Sequence, residues 1–156
     1  MSTTAKSNMY RELNQQLTGL LADENDLIAN LANTSALLFQ NLPAVNWVGF
    51  YLVKGDELVL GPFQGKPACV RIPLGKGVCG TTAAKQETVV VDNVHEFEGH
   101  IACDISSNAE IVIPLFVNQE LIGVLDIDSP LHNRFDQVDK QELEAMVAVL
   151  QKALEG

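Results

Sequence analysis

The chain has 156 residues, 47% of them hydrophobic, which is enough for one compact domain with its own core. Twenty acidic residues against ten basic ones give a formal charge of −10, which disfavours nucleic acid and anionic membranes as partners because both are negatively charged. The longest apolar stretches, such as 111–117, stop at strand length, well short of the roughly 18 residues of a membrane span.

The N-terminal sequence passes directly into a helical pattern and contains no apolar signal core. We therefore expect no cleaved signal peptide and a location in a reducing cytoplasm. The acidic balance is also compatible with a small cationic or zwitterionic ligand, whose ammonium group would need buried carboxylates. Net charge alone does not choose a ligand.

Helical periodicity marks both ends of the chain. Apolar residues at helical spacing predict two helices within 8–40, and a similar stripe predicts a last helix over 136–154. The sheet core is predicted over 45–129. It contains two hairpins, one turning at 54–56 and the other at Asn118 and Gln119.

The middle of the chain is less regular. A short strand is predicted at 70–72, then a glycine-rich turn that opens a helix of small residues at 81–85, an apolar strand at 88–92 and a loop over 92–108. The resulting order, ααβββ(α)βββα, predicts an α/β (α+β) fold in one domain over 1–156. Its sheet is mostly antiparallel, with the terminal helices packed on one face.

Three cysteines stand as singles, and none belongs to a CxxC pair. Cys79 lies among small residues at the start of a predicted helix, where packing explains it, although a helix N-terminus also lowers the pKa of a thiol. Cys103 lies in a polar loop, and Cys69 lies at the entrance of a strand. We expect Cys69 and Cys103 to be the redox pair and Cys79 to be auxiliary at most.

Zinc is a competing use for three thiols, with His95 and His100 as further ligands near Cys103. Structural zinc sites usually take their ligands in close pairs, and here His100 and Cys103 alone are near neighbours in the sequence. We therefore expect no metal site. The two histidines are expected to be surface loop residues.

Carboxylates in the last two strands form the next candidate group. Asp126 and Asp128 are two positions apart, so they share one face of the sheet at a separation of about 6–7 Å. If that face is buried, desolvation and mutual repulsion raise at least one pKa, giving a cation-binding pair or a protonated hydrogen-bond donor. If that face is solvated, the aspartate pair indicates no binding site.

Glu110 begins the partner strand and is equally unusual before an apolar run. Strict pairing across the two-residue turn would place Glu110 opposite Ile127, on the other face from the aspartates. A shared site therefore requires a bulge, for which Pro114 is the candidate position, or a loop of odd length.

Trp47 and Tyr51 share one face of the first predicted strand, with Gly49 between them. This spacing predicts a gap flanked by aromatic rings. The gap could be an apolar wall for a methyl or thioether group, although ordinary core packing explains the same pattern.

Several motifs taken together resemble one known family. The segments NWVGFYL, LGPFQGKPAC, RIPLGKGVCG, HIACDISSNAEIVIPL and LIGVLDIDS follow one another as in the free methionine-R-sulfoxide reductases, over about residues 40–154. The last hairpin is common to GAF domains generally. The three cysteines together with Glu110 and the aspartate pair are the specific part of the resemblance.

The resemblance implies a GAF fold, a homodimer and an enzyme that reduces free methionine-R-sulfoxide without a bound cofactor or metal. It implies that Cys103 attacks the sulfoxide, that Cys69 resolves the oxidised intermediate as a disulfide, and that Cys79 is auxiliary. A thioredoxin-like reductant would then return the dithiol. The implied pocket residues are Trp47, Tyr51, Glu110, Asp126 and Asp128.

The proposed chemistry fits these residue types, since a thiolate attacks sulfoxide sulfur and the departing oxygen needs an acid of raised pKa. Backbone N–H groups of 101–107 are the candidates for holding the substrate carboxylate. Two alternatives remain open, because fold does not decide function. They are a GAF module that binds a small molecule without turning it over, and a redox switch that uses Cys69 and Cys103. A sensor would be expected to continue into an output domain beyond the last helix.

Overall fold

The computed structural model describes residues 1–99 and 106–156. The helices are α1 (Thr3–Leu21), α2 (Leu27–Asn41), α3 (Gly77–Lys85) and α4 (Gln137–Glu155), and the strands are β1 (Trp47–Lys54), β2 (Glu57–Gly65), β3 (Arg71–Pro73), β4 (Val89–Val91), β5 (Ala109–Val117) and β6 (Glu120–Ser129). A short 3-10 turn lies at Val94–Glu96. No helix in the described part of the chain is long and apolar enough to cross a membrane.

The helix ends follow local capping chemistry. The Ser2 side chain accepts from the backbone N–H of Ala5, so α1 begins five residues before the predicted start at residue 8. Asp26 caps α2 in the same way. Asp136 and Asp139 form a capping box that starts α4.

Six strands form one sheet in the order β3-β2-β1-β6-β5-β4, and every neighbouring pair is antiparallel. The predicted α/β (α+β) fold is therefore confirmed. Strands β1 and β6 occupy the centre, and the last two strands bring their carboxylates to that centre.

The two faces of the sheet are covered differently. Helices α1, α2 and α4 gather on one face, where α2 packs on β1 and β2, α4 packs on β5, and α1 packs on α4. Leucines at helical spacing, such as Leu13, Leu17 and Leu21 of α1, supply that core. The opposite face carries α3, which packs on β5 and β6 and closes a second, smaller cluster of buried residues.

Candidate functional site

A bulge near the β5–β6 turn sets the register of the carboxylates. Leu115 pairs with Gly123 while Phe116 pairs with Leu121, so Ile122 is an extra residue on β6. After this shift Glu110 pairs with Asp128 and not with Ile127, which strict pairing across the turn would have placed opposite it. The bulge that a shared site required exists, but not at Pro114.

The register places three of the predicted pocket residues in one row across the sheet. Glu110 of β5 pairs with Asp128 of β6, which pairs with Trp47 of β1. Asp126 lies one pleat further along on the same face, opposite Gly49. All of the predicted carboxylates therefore meet on the face that carries α3.

A pocket opens over this row, between the sheet, α3 and the segment that precedes β3. It is lined by Trp47, Tyr51, Pro67, Ala68, Ile72, Lys76, Gly77, Val78, Cys79, Ser107, Glu110, Asp126 and Asp128. Of the predicted substrate-binding residues, the structure brings together all five. Whether they bind a substrate stays a prediction.

Burial dominates the electrostatics of this pocket. Glu110 is 7% exposed and Asp126 is 6% exposed, whereas Asp128 is half-buried. Burial and the charge of Asp126 raise the pKa of Glu110 well above its usual range. Burial and the charge of Asp128 raise the pKa of Asp126. Among the described lining residues, Lys76 at the exposed mouth is the one cation, so within the pocket burial favours the protonated forms of Glu110 and Asp126.

Cys79 lies against the same carboxyls, at the N-terminal end of α3. Its Sγ is 3.9 Å from Oε2 of Glu110, and the residue is 4% exposed. Burial and the charges of Asp126 and Glu110 raise the pKa of the Cys79 thiol well above its usual range. Burial and these charges outweigh the helix N-terminus, which would lower the pKa of the thiol. Cys79 is therefore a neutral thiol and a poor nucleophile.

The same three residues offer a possible ligand set for a metal. One ligand atom each from Cys79, Glu110 and Asp126 lie within 4.8 Å of one another. This set differs from the zinc set considered from the sequence. Cys79 is shared by the two sets, whereas His95 lies away from this one, with its Nε2 3.0 Å from Oδ1 of Asn108.

The aromatic pair is arranged differently from its prediction. Trp47 and Tyr51 have ring centroids 6.0 Å apart, and Trp47 also stacks on Phe63 at 5.3 Å. A Cβ on Gly49 would lie 2.6 Å from Cη2 of Trp47 and would clash with Phe63. The predicted gap at Gly49 is therefore filled by the indole and by Phe63, and the aromatic wall lies beside it.

The polar atoms of the two aromatic side chains reach the segment that carries Cys69. Trp47 Nε1 donates to the carbonyl oxygen of Lys66 at 3.0 Å, and the Tyr51 hydroxyl donates to that of Cys69 at 2.9 Å. Cys69 is half-buried beside Ala68 of the pocket wall. Cys103, His100 and most of the predicted loop 101–107 lie outside the described residues.

Sequence reasoning missed the residues that hold the end of that loop. Asn46 Nδ2 donates to Ser106 Oγ at 3.2 Å and to Ser107 Oγ at 3.3 Å, while its backbone N–H donates to the carbonyl oxygen of Asp128 at 2.9 Å. Ser107 thereby enters the pocket wall. The signal available was a polar asparagine immediately before a buried strand.

Comparison with known families and proteins adds a second line of information. The GAF domain family matches residues 26–154 of the chain. The free methionine-R-sulfoxide reductase of Escherichia coli is 54% identical over 149 residues, covering 96% of this chain and 90% of that protein.

Solved structures show the same likeness in three dimensions. The free methionine-R-sulfoxide reductase from Neisseria meningitidis, in complex with its substrate, has a TM-score of 0.93 at 48% identity and covers 99% of this chain and 93% of that one. The fRMsr of Staphylococcus aureus, also in complex with substrate, has a TM-score of 0.90 at 55% identity and covers 93% and 95%.

Proposed function

Because the chain belongs to the free methionine-R-sulfoxide reductases, oxidoreductases of the GAF domain family, we propose that it reduces free L-methionine-(R)-S-oxide to L-methionine. The observation that carries this proposal is the cluster of carboxyl side chains buried in the pocket. Glu110 and Asp126 are held there with raised pKa values beside a half-buried Asp128. A carboxyl of raised pKa in this cluster can donate the proton that the sulfoxide oxygen needs in order to leave.

The substrate would be held by the charge and shape of the pocket. Asp126 helps to hold the substrate ammonium, because an ammonium group introduced among buried carboxyls returns at least one of them to its ionised form. Glu110 and Asp128 polarise the S–O bond by hydrogen bonding to its oxygen. Trp47 contacts the methyl group, and Tyr51 extends the aromatic wall.

Cys103 is the proposed nucleophile. Its thiolate attacks the sulfoxide sulfur, the oxygen passes to the Cys103 sulfur as a sulfenic acid, and methionine leaves. Cys69 then condenses with the sulfenic acid, forming a disulfide and releasing water. The raised pKa of Cys79 supports an auxiliary role for that thiol rather than a nucleophilic one.

The oxidised enzyme needs a dithiol to return to its starting state. A thioredoxin-like protein supplies the two electrons by thiol–disulfide exchange, which restores Cys69 and Cys103 and leaves the reductant oxidised. We propose that this cycle runs in the cytoplasm, in a homodimer, without a bound cofactor or metal.

The direct test is methionine formation by the reduced protein with three substrates and a dithiol reductant. We expect turnover of free methionine-R-sulfoxide and none of the S epimer, as implied by the family to which the chain belongs. We also expect none of a peptide-bound sulfoxide, because peptide bonds replace its free ammonium and carboxylate groups. Cys103→Ser is the matched inactive control. If none of the three is reduced, the enzyme proposal is wrong and ligand binding without turnover becomes the function to test.

A further inference from the structure

The segment between β2 and β3 carries Cys69 and is held by side chains of the central strand. Trp47 Nε1 donates to the carbonyl oxygen of Lys66, and the Tyr51 hydroxyl donates to that of Cys69 itself. Both side chains belong to β1, which lies in the middle of the sheet. The two hydrogen bonds therefore connect the cysteine segment to a rigid part of the fold at both of its ends.

The rings that make these hydrogen bonds are themselves fixed. Trp47 lies between two glycines, since a Cβ at Gly49 or at Gly65 would come within 2.6 Å of an indole carbon. It is 3% exposed and stacks on Phe63, and Tyr51 is 2% exposed. Burial raises the pKa of Tyr51, so its hydroxyl keeps the proton that it donates.

The cysteine segment lies at the edge of the pocket-side cluster, against which Ala68 and Cys69 pack. Lys66 and Pro67 are exposed, and Cys69 and Ala68 are half-buried. Gly65 adopts a positive φ of 129° just before them, a conformation that disfavours a regular strand. The hydrogen bonds from Trp47 and Tyr51 therefore add to partial packing in holding the Cys69 backbone.

We propose that Trp47 and Tyr51 are positioning residues for Cys69, which hold its backbone where its thiol can reach the oxidised sulfur of Cys103. This inference rests on the proposed function and adds a role in the second chemical step. That step joins the Cys69 sulfur to the sulfenic sulfur and releases the sulfenic oxygen as water. Its geometry is demanding, because disulfide formation needs the two Cα atoms within about 7 Å, and misplacement of reacting groups slows a step steeply.

The test separates the two steps in the isosteric variant Tyr51→Phe. Single-turnover methionine release measures the first step, and trapping of sulfenic acid with dimedone, together with loss of free thiols, measures the second. We expect the ratio of the disulfide-formation rate to the methionine-release rate to fall about five- to tenfold, the effect of one lost hydrogen bond. Trp47→Phe, which removes the other donor, gives an independent reading of the same ratio.

Two controls distinguish positioning from a general structural effect. Tyr10→Phe removes another buried tyrosine hydroxyl, which donates to Asp139 at 2.6 Å, and should leave the ratio unchanged. A small monothiol such as 2-mercaptoethanol can condense with the sulfenic acid in place of Cys69, and it should restore sulfenic acid decay in Tyr51→Phe. This response shows that the sulfenic acid remains accessible and reactive, whereas a general loss of structure would also slow methionine release.

The outcomes separate the inference from the function on which it rests. A wild-type ratio in both Tyr51→Phe and Trp47→Phe, or an equal slowing of both steps, overturns the positioning role while the reductase activity stands. Absence of methionine release from the wild-type protein overturns the proposed function and this inference with it.

Discussion

Two groups of buried carboxylates in this molecule have opposite surroundings. Asp139, at the start of α4, is fully buried and accepts hydrogen bonds from Tyr10 at 2.6 Å, Lys6 at 2.9 Å and Arg134 at 3.2 Å. It also accepts from the backbone N–H of Asp136 at 2.9 Å. Each of its oxygens is satisfied, and two cations balance its charge.

The pocket carboxyls are arranged without such compensation. Glu110 and Asp126 face Asp128 and a neutral thiol, and Oδ1 of Asp126 has no hydrogen-bond partner among the described residues. Burial of a polar group without a partner costs stability. The fold therefore satisfies the carboxylate that stabilises the start of α4, and among the described residues it leaves Oδ1 of Asp126 unpaired in the pocket, as is typical of groups at functional sites.

The largest expected effect comes from removing the charge of Asp139. Asp139→Asn leaves Lys6 and Arg134 without a buried anion, and we expect the free energy of unfolding to fall by about 3–5 kcal/mol. Denaturant unfolding followed by circular dichroism measures this loss. The remaining folded protein should keep its methionine release, because Asp139 lies outside the pocket.

The matched control is Asp136→Asn, which retains a good helix cap and removes a charge that is 57% exposed. Exposed ion pairs contribute little, so its loss should stay below about 1 kcal/mol. Equal losses for Asp136→Asn and Asp139→Asn would show that burial does not distinguish the two sites.

A smaller effect is expected in the pH dependence of stability. Glu110 and Asp126 have raised pKa values, so the folded protein keeps protons that the unfolded chain loses above pH about 4. Stability contributed by these groups therefore falls as the pH rises. The double variant with Glu110→Gln and Asp126→Asn should be more stable than wild type at pH 8, by on the order of 1 kcal/mol, and should lose activity.

Asp136 contributes a pH dependence of stability that has the opposite sign. Despite an opposing effect of burial, hydrogen bonds from the Asp139 backbone and from Lys6 lower its pKa to about 2. Its contribution is lost as the pH falls from about 4 toward 2. Unfolding measured from pH 3 to pH 8 should show both trends in wild type. An unchanged slope above pH 5 in the double variant would contradict the account of the pocket.

The order of elements was predictable because local signals determine it. The helical stripes of α1 and α4 and the hairpins at 54–56 and at Asn118 are patterns within a few residues. The start of α1 was not predictable in this way. Thr3 to Asn8 carry few apolar residues, and the helix begins there because the Ser2 side chain caps it.

The candidate site was predictable as a set of residues but not as a geometry. The meeting of Glu110 with Asp128 depends on one extra residue, Ile122, that no turn motif indicates. The packing of Trp47 over Gly49 depends on the opposite strand. The Asp139 network joins residues about 130 positions apart, and such pairing comes from the tertiary fold alone.

The central claim is that the carboxyl pocket and the Cys103 thiol together remove the sulfoxide oxygen. Single-turnover reduction of free methionine-R-sulfoxide by reduced Cys69→Ser and Cys103→Ser tests it most directly. The account predicts one equivalent of methionine from Cys69→Ser, which forms the sulfenic acid but cannot resolve it, and none from Cys103→Ser. Methionine from Cys103→Ser, or equal loss of the first turnover in both variants, would contradict it.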